Sequence, residues 1–587
     1  MNMLQTFERE NHPRPDLVRE HWLSLDGPWH FAFDKQNIGK KEKWYRSLPA
    51  SREILVPFAY QSELSGIGST EHCDVVWYEH EITVPSEMTA RRLLHFGAAD
   101  YQADVWLDGQ YLGGHTGGYT PFVFDVTDLT APGSRHTISV RCEDRLDFDQ
   151  PRGKQSFRPE PFECWYTPVT GIWQSVWLEG VGECYPVSVR LTPCIENASL
   201  KAEITLNELP ENGAVRLTAS YQGVLAACQE ITVTSDRYVK AELYLRHNER
   251  LEGFHMWSPG NPALYDLTIE TLSNDQVLDR LDTYFGMRKI EIVGDQILLN
   301  RDAVYQRLIL DQGYWPDGLL TPPSGGALKR DVELVLAMGY NGVRMHQKFE
   351  DPRFLYWADR LGLMVWGELP SAYWLRDSQK RNMMRDLSEA IARDYNHPCL
   401  ITWVPLNESW GVPFIETNKE AQQLADALYA MVHCLDGTRP VSGNDGWEQA
   451  STDLFTVHDY TAWPEQLSPA YRQDDALLSG HPGGGRMVTA RGYDHRGKPR
   501  LLTEFGGIAM KKDAGNGNWG YNGAETDEAA FLKRFEAITK AFRSDPQFAG
   551  YCYTQLTDVF QEVNGLLDMH RNPKVPLEEI RRINENR

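Results

Sequence analysis

The 587 residues exceed one ordinary domain and predict three or four, and a hydrophobic share of 41% suffices for sizeable cores. A formal net charge of -23, from 82 acidic against 59 basic residues, argues against nucleic acid or an anionic membrane surface as a partner. Nine cysteines without a C-x-x-C motif argue against a disulfide framework and a Cys-type zinc site, and reduced thiols in the cytoplasm are expected. The first twenty residues carry charges and prolines and no apolar signal core, and no run approaches the ~20 apolar residues that span a bilayer.

From about residue 22 to 180, short aromatic and β-branched runs follow one another without a helix: 29–33, 75–78, 92–96, 103–107 and 136–140. Asp108-Gly109 is a hairpin turn signal. A β-sandwich of the jelly-roll type is predicted over residues 1–183. The glycine-rich loop 113–121 lacks the Lys-Ser/Thr ending of a phosphate cradle. Residues 215–219 and 264–270 alternate as half-buried strands do, which predicts an immunoglobulin-like sandwich over 184–286 without its disulfide.

Beyond residue 287 the period changes and strands alternate with amphipathic helices. The apolar runs are 307–310, 342–345, 363–366, 400–406, 440–442, 454–457, 501–503 and 548–553. Helices are predicted over 327–338, around Met384, Leu387, Ile391 and Tyr395, and around Leu424, Leu428, Met431 and Leu435. Eight strands with helices between them predict a (β/α)8 TIM barrel over 287–587, with residues 461–498 as a long loop at the pocket rim.

Two of these strands end alike. The run 400–406 leads into Asn407-Glu408, and 501–503 leads into Glu504-Phe505-Gly506-Gly507. The C-terminal ends of parallel barrel strands face one pocket, so both carboxylates are expected to meet there. Two carboxylates flanking one bond are what hydrolysis of a glycoside requires. A carbohydrate-binding protein with an inactive barrel would be expected to have replaced one of them, and both are present.

The order of domains and the local motifs resemble glycoside hydrolase family 2. The likeness runs through Val105-Trp106-Leu107-Asp108-Gly109, Gly117-Gly118-Tyr119-Thr120-Pro121, Gly171-Ile172-Trp173, Phe285-Gly286-Met287-Arg288 and Asn341-Gly342-Val343-Arg344. It implies that Glu408 is the general acid/base and Glu504 the nucleophile of a retaining exo-β-glycosidase. It further implies that Asn407 bonds the sugar 2-OH, that Arg344 keeps Glu504 ionised and that Tyr460 stands near the nucleophile. His346 and His458, at strand ends, are expected to reach sugar hydroxyls. The first strand departs from the family pattern at Asp311, which is expected to replace a neutral contact. An Asn-x-Lys that would clamp a uronate reads Glu562-Val563-Asn564 here, so a neutral sugar is expected, galactose by default as the family's commonest substrate. Another β-linked sugar or transglycosylation is the alternative. No metal or cofactor is expected, and a dimer or tetramer would follow the family's habit.

Overall fold

The computed structural model describes residues 9–245, 254–467, 469–472, 474–480, 482, 485–515 and 517–585. The first sandwich sets a six-stranded sheet against a four-stranded one. Its central strand, Arg135–Glu143, lies between Val75–Thr83 and Gln102–Leu107 and buries Ile138, Val140 and Cys142 at every second position. Side chains of a strand alternate between faces, so this spacing turns one apolar row inward.

The second sandwich pairs five strands with three. Val215, Leu217 and Ala219 of Gly213–Tyr221 and Leu267 and Ile269 of Tyr265–Ser273 make its core at the same two-residue period. One of its five strands comes from the start of the chain: Leu17–Val18 runs antiparallel to Gln276–Phe285. The first described residues therefore serve the second sandwich, a departure from an N-terminal unit running unbroken over 1–183.

The third unit is the TIM barrel. Its parallel sheet runs, in spatial order, Leu400–Val404, Met364–Glu368, Gly342–Met345, Gln306–Asp311, Phe548–Thr554, Arg500–Gly506 and Phe455–His458. The eighth position, predicted at 440–442, is reduced to a few bonds: Trp403 N–H to Pro440 C=O at 3.1 Å and Ser442 N–H to the Trp403 C=O at 2.9 Å. Pro440 has no N–H, so a ladder cannot extend through it. The helices begin where their caps dictate. Ser324, Asp351, Asn418 and Asp527 accept the first free N–H groups of Gly325–Ala337, Pro352–Leu361, Lys419–Leu435 and Glu528–Arg543. The predicted rim loop carries a short helix, Asp474–Ser479, and later pairs with the chain that follows residues 440–442, Glu448 N–H donating to Met487 C=O at 2.8 Å. No helix among the described residues is long and apolar enough to cross a membrane.

A strap from the first sandwich, residues 148–166, lies across the mouth of the barrel. The N–H groups of Arg152 and Gly153 both donate to the Ser371 carbonyl, at 2.9 and 3.0 Å, and Tyr373 N–H donates to Phe148 at 2.8 Å. Gly153 has φ +61°, and a Cβ there would stand 2.2 Å from the Gln347 carbonyl oxygen, so only glycine allows this approach.

Candidate active site

Every predicted site residue lies at or near the C-terminal ends of the barrel strands, and all but Asp311 join one hydrogen-bonded cluster. Glu504 lies within Arg500–Gly506, Arg344 within Gly342–Met345, and Asn407 and Glu408 just beyond Leu400–Val404. Glu408 and Ser409 turn through φ +51° and +60°, a backbone region that a side chain enters at a cost of about 1–3 kcal/mol each. The turn is held by Glu408 N–H donating to Asp445 C=O at 2.9 Å and Ser409 N–H donating to Asn444 Oδ1 at 3.0 Å. One oxygen of Glu408, one of Glu504 and a ring nitrogen of His458 fall within 4.8 Å of one another.

Arg344 organises this cluster. It is fully buried and forms ion pairs with Glu368 at 2.9 Å, Asp445 at 2.7 Å and Glu504 at 3.1 Å. It also donates to Asn407 Oδ1 at 2.5 Å, which leaves the amide NH2 of Asn407 as the end able to donate to a sugar hydroxyl. Burial opposes a charged guanidinium, but Asp445, Glu368 and Glu504 hold Arg344 protonated well beyond its ordinary range. Glu504 thus receives Arg344 on Oε1, and on Oε2 it receives the Tyr460 hydroxyl at 2.6 Å. Tyr521 stacks on Tyr460 with centroids 3.6 Å apart and fixes that ring.

His458 bridges two carboxylates. Its Nδ1 lies 2.7 Å from Glu408 Oε1 and its Nε2 lies 2.9 Å from Asp445 Oδ2. Burial alone would lower its pKa, but Glu504, Asp445 and Glu408 together push it up to about 10, so both ring nitrogens donate. Burial likewise resists ionisation of Asp445, yet Arg344 and His458 hold its carboxyl below the usual range. The ring fits because Gly446 faces it; a Cβ at that position would lie 2.3 Å from the imidazole.

His346 behaves oppositely. Burial and then the Arg344 cation depress it well below the ordinary histidine value, leaving a neutral ring. Its Nδ1 sits 3.0 Å from an Arg344 nitrogen and 3.1 Å from Glu368 Oε1. Burial pushes Glu368 up to about 7, a shift that Arg344 opposes. Asp311, the last residue of Gln306–Asp311, stands apart from the Arg344 cluster. Its Oδ1 accepts the Gly313 N–H at 2.8 Å in a tight turn, and among the described residues no hydrogen bond or ion pair joins its side chain to the Arg344 cluster.

The strap supplies groups that strand-by-strand reading missed. Trp165 donates to the Tyr373 hydroxyl at 2.7 Å and meets Trp410, two residues past Glu408, edge to face at 5.2 Å. Tyr166 donates to Glu562 at 2.5 Å and accepts from Gln312 at 2.8 Å. Asn564 donates to the other Glu562 oxygen at 3.0 Å. Glu368 was legible as the last residue of a barrel strand; Asp445, Tyr521 and Trp165 carry no local signal of their own.

Three family models divide the chain among them. The sugar-binding domain of glycosyl hydrolases family 2 matches residues 22–178, a second family 2 domain matches 187–288, and the family 2 TIM barrel domain matches 324–586. The chain belongs to glycoside hydrolase family 2. It is similar to a β-galactosidase of Thermoanaerobacter pseudethanolicus, 24% identical over 571 residues, covering 92% of this chain and 71% of that protein. It is also similar to a β-glucuronidase of Paenibacillus borealis, 24% identical over 541 residues and 85% of each chain. In fold it resembles the β-glucuronidase of Ruminococcus gnavus solved with D-glucuronic acid, with a TM-score of 0.76 at 21% identity over 96% of this chain and 98% of that one.

Among the described residues of this family 2 hydrolase, two groups of side chains have the makings of a metal cluster. Glu408, His458 and Glu504 form one, and the buried Asp359, His397 and Cys399 form the other. In both, the donor atoms already serve the protein. Glu408 and Glu504 pair with His458, Arg344 and Tyr460, whereas Asp359 accepts from Tyr284 at 2.8 Å and from Cys399 N–H at 2.8 Å and meets His397 at 2.6 Å.

Proposed function

We propose that this glycoside hydrolase is a retaining exo-β-glycosidase that removes a terminal neutral pyranose, a β-galactoside first among them. The observation that supports retention is the approach of Glu408 and Glu504 oxygens to within 4.8 Å. Retaining enzymes hold their carboxyl groups about 5–5.5 Å apart, whereas inverting ones leave about 6.5–9.5 Å for a water between them. Glu504, oriented by Arg344 and Tyr460, attacks the anomeric carbon. The leaving oxygen takes its proton from Glu408, one oxygen of which accepts from His458 Nδ1, and Glu408 then draws a proton from the water that releases the sugar. Asn407 grips the 2-OH.

The neutral-sugar reading rests on Glu562. Its carboxyl is buried, is raised above its ordinary range by that burial, accepts from Tyr166 and Asn564, and stands where an Asn-x-Lys would clamp a uronate. One observation favours a β-glucuronide instead: several matched relatives carry that name. A panel of p-nitrophenyl β-glycosides decides between them. The β-galactoside is expected to release nitrophenol fastest, faster turnover of the β-glucuronide would overturn the neutral reading, and silence on all would overturn the hydrolase mechanism.

A further inference from the structure

The residue that follows the acid/base binds a buried carboxylate that the mechanism above does not use. Glu448 is 5% exposed, and its Oε2 accepts the Ser409 hydroxyl at 2.5 Å. That hydroxyl accepts in turn from Asn444 Nδ2 at 3.0 Å, so its own proton is directed at Glu448. Asn444 is fully buried and makes a second link, its Oδ1 taking the Ser409 N–H at 3.0 Å. Segment 444–448 thus grips Ser409 by both backbone and side chain.

Three non-glycine residues of this corner have left-handed backbones: Glu408 at φ +51°, Ser409 at +60° and Glu448 at +25°. Such conformations persist only where the surroundings hold them. The Ser409–Glu448 hydrogen bond ties the two strained stretches together. Glu448 is held from behind by the rim loop: its N–H donates to Met487 C=O at 2.8 Å and the Gln449 N–H to Val488 C=O at 2.9 Å. Its Oε1 meets Arg486 at 3.5 Å, but that arginine is largely exposed and the pair carries little weight. The 408–409 turn decides where the Glu408 carboxyl lies, now with Oε1 2.7 Å from His458 Nδ1. Relaxing either dihedral would swing that carboxyl off its line.

We propose that Glu448 is a positioning residue for the acid/base: by holding Ser409 it fixes the turn that aims Glu408 at the leaving oxygen. The proposal rests on the acid/base role given to Glu408 above and is independent of which sugar is removed. A general acid supplies roughly 100- to 10,000-fold in rate, and the supply matters most for a poor leaving group. Losing its aim predicts a fall in kcat/KM of roughly 10- to 100-fold on a methyl β-galactoside and below about threefold on the dinitrophenyl one.

The test measures kcat/KM on those two substrates for wild type, Ser409→Ala, Glu448→Ala, Glu448→Gln and the Ser409→Ala/Glu448→Ala pair, with the thermal midpoint of each protein. Should another β-glycoside be preferred, the same two aglycones are used on that sugar. Both alanine variants are expected to lose the methyl substrate selectively, and the pair to lose no more than the worse single variant, within about twofold. Glu448→Gln, whose amide oxygen takes the same hydrogen bond, is expected to keep most of the activity. Equal losses on the two substrates, or none, overturn the proposal, as does a Glu448→Gln no better than Glu448→Ala. If Glu448→Ala does not fold, Ser409→Ala, which removes one oxygen, decides the matter alone. Glu408→Gln separates this proposal from the reading beneath it. A leaving-group split there without one in Ser409→Ala counts against Glu448 only, whereas no split there, or a wild type silent on all glycosides, removes the acid role and this proposal with it.

Discussion

Tyr460→Phe removes one atom from the site and leaves the ring stacked on Tyr521. In the native arrangement Glu504 takes Arg344 at 3.1 Å on Oε1 and the Tyr460 hydroxyl at 2.6 Å on Oε2, with His458 Nδ1 3.5 Å from Oε2. The phenol bond is the shorter and is made to a carboxylate, so it belongs to the charge-assisted class worth about 1.5–3 kcal/mol. Its hydroxyl also lies 3.3 Å from Thr554 Oγ1, a weak alternative partner, so little is regained on truncation. At 1.36 kcal/mol per decade, kcat should fall roughly 10- to 150-fold while KM changes little, because the bond orients the nucleophile and not the sugar. The assay is the rate of covalent labelling of Glu504 by a 2-deoxy-2-fluoro glycoside, followed by mass spectrometry beside steady-state turnover. A loss below about threefold in both would refute the claim that Tyr460 positions Glu504.

Three further outcomes are expected. Glu504→Gln should abolish turnover of every substrate, whereas Glu408→Gln should spare nitrophenyl glycosides far more than alkyl ones; equal losses on both kinds would remove Glu408 from the acid role. His458 is raised to about 10 from an unfolded value near 6.5, so its stabilising contribution is fully present below about pH 6.5 and disappears as pH rises through 10. The thermal midpoint of His458→Gln should trail wild type at pH 6 and close that gap by pH 10, and a constant gap would contradict the assigned charge. Gly153→Ala forces a Cβ toward the Gln347 carbonyl and should lower kcat/KM by shifting the strap, with little change in secondary structure by circular dichroism; unchanged kinetics would free the strap from any role in the pocket.

Much of this architecture was legible because it is periodic. Ile138, Val140 and Cys142, or Leu424 and Leu428, announce a strand and a helix by spacing alone, and Glu408 and Glu504 are marked by the apolar runs that end on them. The fifth barrel strand survived as a prediction only in outline, because Pro440 cuts the ladder that the apolar run suggested. Leu17–Val18 was invisible: two residues cannot show a period, and their partner strand lies some 260 positions away. The same holds within the site. Asp445 and Tyr521 acquire meaning only when His458 and Tyr460 are seen against them, and only the fold shows that one oxygen of Asp311 closes the turn at Gly313.

The strap that closes over the barrel mouth has a consequence for any dissection of this enzyme. Cutting the chain near residue 287 to obtain a minimal catalyst would strip Trp410 and Tyr373 of their aromatic neighbour Trp165 and leave Glu562 without the Tyr166 hydroxyl. Such a fragment would retain both reactive carboxylates and still be a poor enzyme. The leading sandwich acts as a missing side of the cup, so specificity in relatives built this way can change through a domain that performs no chemistry.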